Sequence, residues 1–393
     1  MTTPTTQAPV QQRQLTAAQL AQIVVLLKAQ SAIRSQLTAT AIAAATAPLR
    51  GFTRWWDADA VSAVITRVLR VVQPAQLRAA RATDVFAAQV TSILTGRRAR
   101  PVGAVDITRL RRAIPDQVAQ DLVAGRRRPV RVELGDTVAG PGADINAPAD
   151  RQVHDRGREQ FIAPEQPYGR VADAYRYNVI ARGDSPDKAA RKAHVRIAQV
   201  AETDITLAVR EQYNRSFDLD RVEGWRRILH PERGRGGPPC GLCVVAADRV
   251  YKKEELLPLH PACRCEVLPI LDGLDPGLRL NGPDLAAIYE AAGGTAAGTD
   301  KRGLRSIRVA LTEHGELGPV LVDADQHHRG PVEVARAQHP DRHVRAQAQL
   351  DALLKSLFVL EERADRGDLD DDRPLKWQRS KVEELRRELA GSS

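Results

Sequence analysis

Cysteine is scarce in this 393-residue chain: there are four, and all fall between Cys240 and Cys265. A disulfide-stapled secreted scaffold spreads its cysteines to close loops along the whole chain, so that class is excluded. Methionine occurs only at position 1 and aromatics make up 4%, so cores have to be built mainly from Ala, Val, Leu and Ile. Long apolar runs are also missing. The longest aliphatic run near the N-terminus, Ile23 to Leu27, is far shorter than the roughly 20 residues a bilayer requires. Met1 to Gln14 is rich in Thr, Gln and Pro, with no basic segment leading into an apolar one. The expectation is a protein made and used in a reducing cytoplasm, without a membrane partner. No Gly-x4-Gly-Lys-Ser/Thr loop is present to cradle phosphates, which disfavours an ATP-driven role.

Glutamate is absent from the first 130 residues, where eighteen Lys and Arg face six Asp for a net charge of +12. The whole chain carries +9, so the remainder is slightly acidic, at −3. An anionic partner is therefore sought in the N-terminal third. Two basic clusters there, Arg97-Arg98-Ala99-Arg100 and Arg126-Arg127-Arg128, each follow a Gly and precede a Pro, which reads as loop edges or helix ends. They are candidate contacts to an acidic partner or nucleic acid. Arg at a helix C-terminus also complements the helix dipole without any partner.

With 43% apolar and 27% charged residues the chain can build cores, and its length fits two or three domains. From Leu15 to about Pro129 the pattern is helical: Leu20, Ile23, Val24 and Leu27 share one face, as do Val61, Val64, Ile65, Val68 and Val72. Asp57 or Asp59 is placed to cap the second helix. Residues 131–165 lack either period and are rich in Gly, Pro, Asn and Asp, as a linker would be. Ser185-Pro186 resembles an N-cap followed by Pro at the first helical position, opening a helix that stacks Ile197, Ala201, Ile205 and Ala208. Further on, Arg308 to Leu311 and Leu317 to Val322 read as short strands, the second split by Gly318-Pro319. A helix places Leu350, Leu353, Leu354, Leu357 and Phe358 on one stripe, and after Asp368 to Asp372 a charged helix spans Lys381 to Leu389.

The cysteines form two pairs, Cys240-Gly241-Leu242-Cys243 and Cys263-Arg264-Cys265, with His260 just before the second. Each pair can bite one ion while the intervening loop closes a tetrahedron, which is what structural Zn²⁺ requires. The second pair is Cys-x-Cys rather than the usual ribbon spacing, which leaves room for His260 or His230 in place of one sulfur. Other readings stay open. The first pair could be a redox couple, Cys263 or Cys240 a protease nucleophile with His260 or His230 as base, or all four simply small buried groups under a hairpin.

The order Trp225-Arg226-Arg227, Cys240-x2-Cys243, Arg249-Val250-Tyr251, His260-Pro261-x-Cys263-Arg264-Cys265 and Pro269 resembles the phage Mu F (MuF-like) minor head protein family. Ala201-Glu202-Thr203-Asp204 is similar to that family's Arg-Thr-Glu-containing helix, although Ala201 replaces the Arg and the carboxylate is shifted. The likeness covers roughly residues 170–270. The chain as a whole looks similar to minor head proteins of actinobacterial tailed phages, often described as capsid maturation proteases. The resemblance implies a head-morphogenesis protein that acts with portal, scaffold and major capsid protein in the host cytoplasm and then resides in the virion head; with it, the +12 segment points to scaffold protein or packaged DNA as the acidic partner of the N-terminal third. It supplies no catalytic residues.

Combined, these readings give a mainly α, multidomain chain. A basic helical domain at 1–130 precedes a linker at 131–165. An α+β MuF-like module at 166–272 carries a cysteine-clustered hairpin whose zinc ligands would come from Cys240, Cys243, Cys263, Cys265 and His260. A C-terminal extension at 273–393 ends in helices. An assembly role is favoured over enzymatic activity, with a capsid maturation protease as the alternative. For the latter, Ser185 and Ser216 are candidate nucleophiles with His154, His194 or His230. None sits in a Gly-x-Ser-x-Gly elbow, and Ser185 is better read as a helix cap and Ser216 as a loop hydroxyl. His327-His328, His339 and His343, with Asp323, Asp325 and Asp341, make a weak second metal cluster, and Pro340 argues against a helix shared by His339 and His343.

Overall fold

A computed structural model describes residues 15–111, 113, 116–126, 131–132, 161–217, 221–229, 247, 250–251, 265–282, 309–314, 318–323, 331–369 and 371–391. The protein is mainly helical. Helix α1 (Ala17–Thr46) opens on a capping box in which Thr16 and Gln19 satisfy each other's backbone N–H groups. Helix α2 (Ala58–Thr95) starts from Asp57, whose carboxylate accepts from Ala60 N at 2.9 Å, and stops at Gly96 in the left-handed conformation. Of the two candidate caps, Asp57 is therefore the one used. The helix continues through Pro74, past Val72, the last residue named on its apolar face. Pro74 lies on the exposed side, where water can serve the carbonyl that its missing N–H leaves unbonded.

Helix α3 (Asp116–Val123) is followed by strand β1 (Arg131–Val132). Helix α4 (Glu165–Ile180) leads to α5 (Pro186–Ser216), where Ser185 accepts from Lys188 N at 3.4 Å and Pro186 occupies the first turn, as expected. Strands β2 (Val222–Ile228), β3 (Val250–Tyr251) and β4 (Glu266–Leu271) form an antiparallel sheet in the order β3-β2-β4. Residues 276–282, which follow, are helical. Strands β5 (Val309–His314) and β6 (Gly318–Asp323) form a hairpin to which β1 adds, giving the order β1-β5-β6. The Gly318-Pro319 pair does not split β6. It begins the strand, with Pro319 opposite Glu313, a position where Pro is tolerated.

Helices α6 (Pro331–Gln338), α7 (Arg342–Asp365) and α8 (Arg373–Ala390) complete the described chain. Pro340 falls in the break between α6 and α7, so His339 and His343 do not share a helix, and Asp341 caps α7 by accepting from His343 N at 2.7 Å. Helix α8 begins eight residues earlier than the charge pattern indicated, with Pro374 in its first turn. Leu350 is buried on α7 and Leu353, Leu354 and Leu357 pack beside it, whereas Phe358 is 65% exposed. Phe358 sits at the outer edge of that stripe, turned past the contact with α8.

Helix α5 lies at the centre. Its C-terminal half shares a core with α1, α2, β2 and β4 through Ile23, Phe86, Ile205, Tyr213, Trp225 and Leu268. Its N-terminal half shares another with α2 and α4 through Val64, Val68, Tyr168, Tyr175, Ile197 and Val200. The few aromatics are concentrated at these junctions. Phe86, Tyr213, Phe217 and Trp225 form one chain of ring contacts with centroids 5.4–6.0 Å apart. Helix α3 packs with α6 through Ala119, Leu122, Val334 and Ala335, so residues on either side of the cysteine stretch meet here. The pair α7–α8 has a small core of its own. It docks on α4 where Arg363 Nη1 donates to Val179 O and Ile180 O, both at 3.1 Å. Among the described residues no helix is long and apolar enough to cross a membrane.

Candidate functional site: a buried polar girdle beneath the cysteine-bearing sheet

Residues 200–210 of α5 are buried all round, including Glu202, Thr203, Asp204, Thr206 and Arg210. Polar groups in such a position have to be hydrogen-bonded. Asp204 is held by Arg111, whose Nη2 and Nε donate to Oδ1 at 2.6 and 3.1 Å, and by Tyr168, whose hydroxyl donates to Oδ2 at 2.7 Å. Two residues on, Thr206 Oγ1 accepts from Arg34 Nη2 at 3.1 Å. The Ala201 to Asp204 segment thus faces the interior rather than a cleft.

Arg34 comes from α1 and reaches across to the sheet. Its Nη1 lies 3.3 Å from both Glu266 Oε1 and the Cys265 carbonyl oxygen. The other Glu266 oxygen accepts from the Tyr213 hydroxyl at 3.2 Å. From the neighbouring strand, Arg227 Nη1 donates to Cys265 Sγ at 3.3 Å. Arg226, on the opposite face of β2, has Nε 2.7 Å from Asp275 Oδ2. Both arginines are at most 1% exposed, and adjacent residues of a strand reach opposite faces because its side-chain period is two. The helical segment at 276–282 presses on β2 so closely that a Cβ on Gly277 would lie 2.9 Å from Ile228 Cδ1 and 3.0 Å from Arg226 Cδ. Asn281 then clamps the end of the strand. Its Oδ1 accepts from Leu229 N, and its Nδ2 donates to Arg227 O and Ala247 O.

This sheet gathers pieces that are far apart in sequence. Trp225 sits opposite Tyr251 on one side and Pro269 on the other, Arg226 opposite Val250 and Leu268, and Ile228 opposite Glu266. Cys265 immediately precedes β4 and is 8% exposed, packed into the main core. Cys240, Cys243, His260 and Cys263 lie outside the described residues, as do His154, His230, His327 and His328. Among the described residues, no three His, Cys, Asp or Glu side chains converge as metal ligands. The Arg227 donor at Cys265 is compatible with a sulfur that ligates a metal, since hydrogen bonds to metal-bound sulfur occur, and equally with a thiol packed in the core.

The other candidates are scattered. Ser185 is a helix cap. Ser216 is not a loop hydroxyl but the last residue of α5; it donates to Asp84 Oδ1 at 2.7 Å and accepts from Gln212 Nε2 at 2.7 Å. His194 Nε2 lies 3.1 Å from Leu49 O, so the described residues pair none of these serines with a histidine. Arg97, Arg98 and Arg100 are exposed just past the end of α2. Arg126 is also exposed but bound to Asp121 at 2.9 Å, while Arg127 and Arg128 fall outside the described residues.

Four residues central to the girdle carried little sequence signal. Arg34 had the strongest: it and Lys28 are the only charged residues in the thirty of α1. Glu266, Asp275 and Asn281 lie beside the cysteine motif without being part of its spacing. No family model, no curated protein and no solved structure matches the chain.

Proposed function

We propose that the chain is a minor head protein of a tailed bacteriophage, acting with portal, scaffold and major capsid protein in procapsid assembly. The observation that supports this best is the grouping on one sheet of Trp225-Arg226-Arg227, Val250-Tyr251, Cys265 and Pro269, the residues on which the MuF-like resemblance rests. The sheet is seated on the α5 helix rather than exposed, which fits a structural module better than an open cleft. Cys240, Cys243 and Cys263, with Cys265 or His260 completing the set, are the proposed ligands of a structural zinc. The metal would supply a cross-link that fixes a segment with little core of its own.

Co-expression with the portal, scaffold and major capsid proteins of the same genome tests the assembly role. The chain is expected to co-sediment with procapsids, and correctly sized procapsids should fall in number without it. A chain left entirely at the top of the gradient, with procapsids unaffected by its omission, overturns the reading. The same material reports on the protease alternative. New scaffold or capsid termini that vanish on a single Ser or Cys substitution in this chain would assign it proteolysis instead.

A further inference from the structure

The exposed face of α2 carries an arginine stripe that neither the fold nor the assembly reading requires. Arg67, Arg70, Arg78 and Arg81 are all exposed. At 3.6 residues per turn they fall within an arc of roughly 80°, and they span about 21 Å of helix axis. No ion pair engages any of the four among the described residues; Arg78 Nε donates only to Pro74 O of its own helix, at 3.2 Å. The carboxylates of α2 do not lie on this stripe. Asp59 lies two turns before Arg67, and Asp84 is 4% exposed, turned inward to accept from Val102 N, Gly103 N and Ser216. Arg67, Arg70, Arg78 and Arg81 therefore form a line along one helix face. Beyond Gly96, at the C-terminal end of the same helix, Arg97, Arg98 and Arg100 are exposed as well.

We propose that this face of α2 binds the phosphate backbones of double-stranded nucleic acid without reading sequence. The arginines form two pairs, 67/70 and 78/81, whose centres are about 16 Å apart along the helix. That spacing can bring them to the two backbones bordering a groove about 12 Å wide. Guanidinium forks suit phosphate oxygens bidentately. The stripe has no aromatic side chain on which an unpaired base could stack, which argues against a single strand. An acidic protein would be attracted as well, but a protein interface needs an apolar centre. Here the exposed apolar side chains are Val71 and Val85, 38% and 47% exposed and set apart along the helix. The inference rests on charge and helix geometry and stands apart from the head-assembly reading.

The test uses the full chain and a labelled 30-base-pair duplex of arbitrary sequence, titrated by fluorescence anisotropy across a salt series. The variant R67Q/R70Q/R78Q/R81Q should bind at least tenfold more weakly. Its log–log salt slope should be shallower by about 3 to 4, as expected for four lost phosphate contacts. R67K/R70K/R78K/R81K keeps the charge and should keep most of the slope, and R386Q/R387Q on α8 should leave binding unchanged; circular dichroism verifies that each variant folds. Equal duplex binding by the folded glutamine variant and the unaltered protein overturns the proposal. So does tighter binding to a single strand of the same length, or competition by poly-glutamate at a charge concentration where duplex competes, which would reassign the stripe to an acidic protein.

Discussion

Arg34 of α1 and Glu266 of β4 meet at 3.3 Å with side chains 8% and 0% exposed, joining the N-terminal helices to the strand that follows the last cysteine. Removing one partner of such a pair strands the other in a medium that solvates it poorly, which typically costs about 3–5 kcal/mol. Arg34→Met is therefore expected to lower the urea midpoint sharply. Tyr213→Phe, which removes a hydroxyl from the same carboxylate, should cost about 1.5–3 kcal/mol. The double variant Arg34→Met/Glu266→Leu should be clearly more stable than the sum of its singles predicts. Additive losses would mean that the two charges are not coupled.

A second prediction concerns Gly277. A methyl group there meets Ile228 Cδ1 at 2.9 Å and Arg226 Cβ at 3.1 Å, both on the central strand of the cysteine-bearing sheet. The Ile228 methyl is the end of a side chain and can move, but Arg226 is fixed by Asp275. Gly277→Ala should therefore destabilise by about 1–3 kcal/mol, the usual range for overpacking. Gly282→Ala, in the same helical segment with nothing within 4 Å of its Cβ position, is the control and should be near neutral in thermal unfolding.

Local features were legible in the sequence; the pairings across it were not. Ser185-Pro186 states its helix start in two residues, and the apolar spacing of α2 picks out Val61, Val64, Val68 and Val72, all buried. Pro74 does not end α2, because a helix propped by two cores tolerates one missing hydrogen bond on its wet side. The cysteine spacing marked the segment that contains β3 and leads into β4, yet it could not place Arg34 against Glu266 or Asn281 against Leu229. Those contacts depend on how α1 and the 276–282 segment fold back over the sheet. The basic N-terminal third was evident from composition, but the alignment of Arg67, Arg70, Arg78 and Arg81 on one exposed face of α2 follows only once the buried face of that helix is known.

Acid should weaken the start of α5 through Asp184. Hydrogen bonds from Lys188 and then Lys192, against the opposing effect of burial, hold its carboxyl below the ordinary value. A group whose pKa is lower in the folded state contributes stability above its unfolded pKa and loses it as pH falls through the folded one. The difference in Tm between the unaltered protein and Asp184→Asn should accordingly be full at pH 7 and shrink progressively below about pH 4. A difference independent of pH would mean that Asp184 acts through packing and not through its charge.

The proposed zinc gives a prediction with a readout independent of assembly. Protein purified without chelator should contain about one zinc per chain by elemental analysis, as expected for a single structural site. Cys263→Ser should lose the metal, and chelator should lower the Tm of the unaltered protein but not of that variant. Absence of metal together with unchanged stability on Cys263→Ser would remove zinc from the account and leave Cys265 as a core residue bonded to Arg227.

Among the described residues, few groups hold α7 and α8 to α4 and the N-terminal helices. Trp377 of α8 meets Trp56 with ring centroids 5.9 Å apart, and the Arg176 guanidinium lies 4.6 Å from its ring. Burial lowers the pKa of Arg176 while Asp173 opposes the shift, so the cation is partly stripped of water and its attraction to the indole is strengthened. Arg363 adds a cap on the two α4 carbonyls, where a cation also complements the helix dipole. Trp377→Ala should therefore cost about 1–3 kcal/mol of docking energy, and Arg363→Ala a further 1 or so. Because α7 and α8 keep their own small core, the expected result is release of an intact helical pair and not global unfolding. Limited proteolysis should reveal it as a new cleavage before α7, with the Tm of the main body unchanged. A single cooperative transition shifted to lower temperature, without that cleavage, would show instead that the pair is an integral part of the main fold.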